Sequence, residues 1–218
     1  MFIGHLAVAF AAKKVSPRTS LGTLVLAAQW VDLILPLFVL AGLEHVGVRQ
    51  STNPFLTLDL TDYPITHSLV AGIGWSLLLG GVVVRLSRDV RAGLVVAAAV
   101  VSHWVLDFIS HTPDMPLWPG GPLVGLGLWR SVGATVTVEG LMFAGGLWLY
   151  FGCTRAKDRI GRWGAAALAG VLVLLYAAQL LPTSSPPDPK TFAVVGLAAW
   201  LFPLWAWWVD RHRESVSA

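Results

Sequence analysis

The chain has 218 residues, 56% hydrophobic and only 12% charged, with a formal net charge of +3. Soluble domains carry about twice that charged fraction, and a mean hydropathy of +0.69 points the same way, so an ordinary soluble globular protein is ruled out. No arginine-rich face interleaved with aromatics is present, which argues against nucleic-acid binding, and the single cysteine, Cys153, precludes an intrachain disulfide framework.

The apolar stretch from Met1 to Ala12 precedes its basic residues, Lys13 and Lys14, the reverse of a secretion signal. It is too short to span a bilayer, so a short helix is expected there, re-entrant or packed inside the bundle. Six later runs reach the roughly 20 apolar residues that a span requires: Leu21–Leu43, Ile65–Leu86, Ala92–Ser110, Gly133–Phe151, Trp163–Leu181 and Phe192–Val209. The expected fold is an all-α membrane protein, a bundle of about six transmembrane helices plus the short N-terminal helix. It forms one integral membrane domain over residues 1–218, with its ionisable cluster within 1–150. Between the spans, the polar Gln50–Pro64 segment is placed to cap a mouth of the bundle. His111–Pro122 reads as an irregular loop rich in Pro and Gly, and Ser184–Pro189 as a connector.

Basic residues alternate between connections. Lys13, Lys14 and Arg18 precede the first span, Arg85, Arg88 and Arg91 follow the second, and Arg155, Lys157, Arg159 and Arg162 follow the fourth. The intervening connections carry a single Arg or Lys each, at Arg49, Arg130 and Lys190. Cytoplasmic loops are enriched in Lys and Arg, so these basic connections and the C-terminus are expected on the cytoplasmic side.

Ionisable side chains are costly inside a membrane and tend to mark function. Asp32 lies in the first span, His67 opens the second, His103 and Asp107 lie in the third with His111 at its end, Glu139 lies in the fourth, and His5 sits in the N-terminal segment. His103, Asp107 and His111 follow a spacing of four and share a helix face. An imidazole and a carboxylate so placed suit zinc or another divalent metal. His111 lies about 12 Å along the axis from His103, so one ion reaches both only if the helix ends early, which Pro113 makes plausible; otherwise His111 serves a second metal or the mouth of the site. Measured from the basic loops, His5, Asp32 and His103 meet near the midplane, and the others lie outward of it, forming a column toward the non-cytoplasmic side.

Plainer roles compete with these: His5 as a link between helices, Asp32 as a partner of a His or of Gln29, His67 as a cap, and Glu139 as ligand, base or structural acceptor. His45, His212, Asp59, Asp62 and Asp114 read as surface or loop residues. Metal bound in a partly dry cavity supplies hydroxide near neutral pH. Glu139 and Asp107 are the candidate catalytic carboxylates, and Ser68, Ser102 and Ser110 are candidates to support the ligands. A hydrolase acting on a lipid ester, amide or phosphodiester suits this location. The alternatives are a proton- or metal-ion-coupled transporter using the same His and Asp column, and a scaffold whose polar groups fix helix packing.

His5, the Asp of the first span, Thr66-His67-Ser68, and Ser102-His103 followed by Asp107 and His111 together resemble the predicted membrane-bound metal-dependent hydrolases of the YdjM-like type. The resemblance extends from Met1 to about Tyr150 and includes the runs His111–Pro119 and Gly125–Trp129. It implies metal or active-site roles for His5, Asp32, His67, His103, Asp107 and His111, and a bacterial inner membrane location. Where that family often has a Pro-Asp-x-Asp run, this chain has Trp30-Val31-Asp32-Leu33-Ile34. One carboxylate is missing, which weakens the expectation of two metals.

Overall fold

A computed structural model describes residues 1–181 and 188–216; most of the connector expected at Ser184–Pro189 lies outside them. Helix α1 (Ile3–Val15) leads to α2 (Leu21–Ala28) and α3 (Trp30–Leu40), and strands β1 (His45–Val48) and β2 (Leu58–Asp62) lead to the single turn α4 (Pro64–His67). Next come α5 (Leu69–Ser87), α6 (Val90–Ser110), strands β3 (Met115–Pro116) and β4 (Leu123–Val124), and α7 (Val132–Cys153). Strand β5 (Thr154–Ala156), α8 (Arg159–Gln179), α9 (Pro189–Gly196), α10 (Leu201–Arg211) and β6 (Arg213–Ser215) follow.

Helices α5, α6, α7, α8 and the run Pro189–Arg211, in which α9 and α10 are joined by a 3-10 turn, are each long and apolar enough to cross a membrane. The bent pair α2 and α3 makes up to six. The protein is therefore an all-α membrane protein, as its composition and run lengths require. Its strands form three short antiparallel pairs, β1 with β2, β3 with β4, and β5 with β6.

The first two spans differ from their sequence outlines. Leu21–Leu43 is not one helix: it breaks at Gln29, where α2 and α3 meet at 56°. No Gly or Pro marks this position. The break frees the Ala28 carbonyl at the end of α2, and a side chain of α6 uses it. In the second span, Ser68 is extended (φ −76°, ψ 151°) and its side chain accepts from Ala71 N at 3.2 Å, so α5 starts at Leu69 and His67 sits on the separate turn α4.

The N-terminal helix is packed inside the bundle. Leu6, Ala9 and Phe10 of α1 are fully buried, and α1 lies against α7, α2 and α6. Its approach to α7 is backbone-close: a Cβ on Gly146 would stand 2.6 Å from the Ala7 carbonyl oxygen, so only glycine fits there. At the other end of α1, Lys13 is buried, donating to Thr19 O at 2.9 Å and pairing with Asp210 of α10 at 2.9 Å. A smaller apolar cluster of Leu35, Val46, Leu60, Tyr63 and Met115 joins α3, the β1–β2 hairpin and the β3 strand beside the polar site. The Gln50–Pro64 segment supplies the loop and the second strand of this hairpin.

Candidate metal centre

Each ionisable side chain reaches the site through a local device. Helix α6 starts at the Asp89 cap and runs unbroken to Ser110. Its fourfold spacing brings His103 Nε2 to 3.0 Å from Asp107 Oδ2. The chain then leaves the helix: His111 is extended (φ −66°, ψ 153°), and its Nε2 turns back to 3.7 Å from Asp107 Oδ1. The early end of α6 brings His103 and His111 to opposite oxygens of one carboxylate.

The other groups converge on the same place. His5 Nε2 lies 3.0 Å from Asp107 Oδ1, and its ring stacks on that of His103 with centroids 3.6 Å apart. Asp32, in the first turn of α3 just past the break, has Oδ1 3.3 Å from His67 Nε2 and 3.5 Å from His103 Nε2. His67 Nε2 is also 4.0 Å from Asp107 Oδ2, and the Met1 amine contacts Asp107. His5, His103 and Asp107 present ligand atoms within 4.8 Å of one another, and so do Asp32, His67 and His103.

The outward-facing nitrogens set the protonation of the inner ones. His103 Nδ1 donates to the Ala28 carbonyl at 2.7 Å, one of the carbonyls released by the helix break. Nε2 of a neutral His103 is then a lone pair. It faces Asp32 and Asp107, yet is buried without a hydrogen-bond partner among the described residues. His67 follows the same logic through a longer chain. The Thr66 hydroxyl donates to Glu44 Oε2 at 2.8 Å, so it accepts from His67 Nδ1 at 2.7 Å. Glu44, fully buried, also accepts from Ile65 N and Thr66 N at 2.7 and 2.8 Å. His111 Nδ1 donates to Asp114 Oδ1 at 3.0 Å. Three imidazoles therefore turn an Nε2 lone pair toward two carboxylates. Metal-binding histidines characteristically donate their other N–H to a carboxylate or carbonyl, and imidazole with carboxylate is a donor set suited to zinc and its neighbours. The residues fit a divalent ion.

Glu139 sits apart from this group while lining the same cavity. Its Oε2 accepts from Phe2 N at 2.9 Å and Gly4 N at 3.1 Å, capping the start of α1, where free N–H groups favour an anion. Its Oε1 is buried without a partner among the described residues.

Several supporting groups were not apparent in the sequence. Nothing singled out Glu44, and Asp114 read as a surface or loop residue. Asp114 in fact holds both His111 and the Thr112 hydroxyl, the latter at 2.8 Å; its position three residues after His111 was the available signal. Tyr63 contacts His111 Nδ1 at 3.5 Å and Met115 Sδ at 3.0 Å. Burial, reinforced by Asp114 and Asp107, holds its phenol well above the usual range and keeps it neutral. The serines expected to support the ligands do not. Ser102 and Ser110 donate to carbonyls of their own helix and Ser68 caps α5, because a short hydroxyl on a helix reaches its own backbone first.

The cavity around the cluster measures about 720 Å³. A larger one of about 1110 Å³ lies at the basic end, lined by Arg18, Arg88 and Arg91, and holds none of the clustered histidines. No curated protein and no solved structure matches the chain. The family model described as YdjM inner membrane protein matches residues 1–185, and with five to six spanning helices around a buried His and Asp group, the chain belongs to that family.

Proposed function

We propose that the protein is a membrane-embedded, zinc-type metal-dependent hydrolase acting on a lipid ester, amide or phosphodiester. The observation that carries this reading is His103 Nε2, whose lone pair is held by the Ala28 hydrogen bond between two carboxylates at 3.0 and 3.5 Å. That arrangement is repulsive unless a cation or a proton lies among the three groups. His5, Asp32, His67, His103, Asp107 and His111 would hold the ion, with Asp107 offering both oxygens. A divalent ion there would polarise the scissile group and bring the pKa of a held water toward about 7. Asp107 would also orient the reacting groups, and Glu139, one oxygen fixed by α1 and the other free, would take the proton from the attacking water. The side chain of Asp32 is 39% exposed, which gives a substrate access to the cluster. The basic connections support a cytoplasmic C-terminus, which would place the cluster, at the opposite end of the helices, in the outer half of the bilayer.

The test is the metal content of the detergent-purified protein by elemental mass spectrometry, with His103→Ala alongside, followed by a screen of lipid substrates. Near-stoichiometric zinc that disappears in the variant, with metal-dependent turnover, is the expected result. A protein that stays metal-free after zinc is added back would retire the hydrolase in favour of a proton relay. Metal-dependent flux in proteoliposomes without turnover would identify a transporter.

A further inference from the structure

The cavity is far larger than an ion and its ligands require, and its lining is of two kinds. One part of its lining is polar, with Asp32, His67, Asp107 and His111; the larger part is apolar, from Leu33 and Pro36 of α3, Val171 and Leu175 of α8, and Val195 and Phe202 of the last span. Two of these wall residues are well exposed, Leu175 at 45% and Val195 at 66%. Helix α8 packs on α10, but among the described residues it makes no extensive contact with α9. Apolar wall residues of α8 and α9 thus flank one passage beside the polar cluster. Trp129 and Trp205 line it, each with a buried indole N–H that has no acceptor among the described residues.

We infer that the gap between α8 and α9 is a lateral port for a membrane lipid. One acyl chain occupies the apolar passage, and an oxygen-rich head lies at the His and Asp cluster. An amphiphile is the ligand that matches both kinds of lining: apolar walls take the chain, and the His and Asp cluster with its ion takes the oxygen-rich head. A volume of about 720 Å³ falls within the roughly 300–1,000 Å³ of pockets that hold one small molecule, which suits a head and one chain. Entry from the side avoids carrying that chain through water. This inference rests on the lipid hydrolase reading for the fate of the head, but chain binding does not require metal.

The experiment is photo-crosslinking in liposomes with a phosphatidylcholine carrying a diazirine on one acyl chain, mapped by peptide mass spectrometry. Adducts are expected on Val171 and Ala199, which line the cavity; Leu175 and Val195, exposed as well, are not counted as cavity adducts. Ala199→Trp and, from the opposite wall, Val171→Trp fill the passage and are each expected to abolish the cavity adducts. Adducts on the outward Leu141 and Trp148 of α7, which are 71% and 75% exposed, should persist. Metal content is measured on the same samples. Adducts confined to outward faces, or cavity adducts that survive in whichever passage variant folds, would overturn the port even if metal is bound. Passage-dependent adducts in a metal-free protein would keep the port and remove the hydrolase.

Discussion

The Thr66 hydroxyl donates to Glu44 Oε2 at 2.8 Å, and this bond decides which nitrogen of His67 carries its proton. With its single hydrogen given to Glu44, Thr66 can only accept from His67 Nδ1, leaving Nε2 free toward Asp32. A glutamine at position 44 can present its amide group to Thr66 and reverse the chain. Glu44→Gln and Thr66→Val are each expected to weaken zinc affinity by about 10–100-fold, the usual effect of losing such a support. Competition titration with a chelating dye measures it, and 15N NMR of His67 reports the tautomer. Unchanged affinity in both variants would remove Glu44 from the site.

Asp107 and Asp32 are not equivalent. Asp107 is buried and uses both oxygens, Oδ1 toward His5 and His111, Oδ2 toward His103 and His67; Asp32 uses Oδ1 alone, toward His67 and His103. Asp107→Asn is expected to abolish metal binding and Asp32→Asn to weaken it. Equal losses in a zinc titration would contradict this ranking.

Lys13 and Asp210 form a buried pair whose side chains are 5% and 16% exposed. Removing one partner strands the other charge, at a cost of about 3–5 kcal/mol. Lys13→Met should lower the unfolding midpoint in detergent markedly, and Lys13→Met with Asp210→Leu should recover part of the loss. An additive double variant would show that the pair is not coupled.

Gly146 faces the Ala7 carbonyl, where an added Cβ would stand at 2.6 Å. Gly146→Ala should push α1 from α7 and destabilise the protein by about 1–3 kcal/mol, as overpacking does. Because α1 carries His5, zinc affinity should fall as well. A variant with wild-type melting and wild-type affinity would mean that the two helices separate freely.

Run length and composition were enough to specify an all-α membrane protein, since a bilayer admits few ways of satisfying the backbone. The fourfold spacing from His103 to His111, and the cost of burying such groups in lipid, singled out the residues that the structure gathers around Asp107. Other features depended on contacts distant in sequence. The break at Gln29 carries no Gly or Pro; it is matched by His103, 75 residues away, donating to Ala28 O. Glu44, Asp114 and the capping oxygen of Glu139 look like ordinary polar residues in the chain. Their meaning comes from hydrogen-bond partners that periodicity does not encode, because a buried donor or acceptor takes whichever partner packing brings within reach.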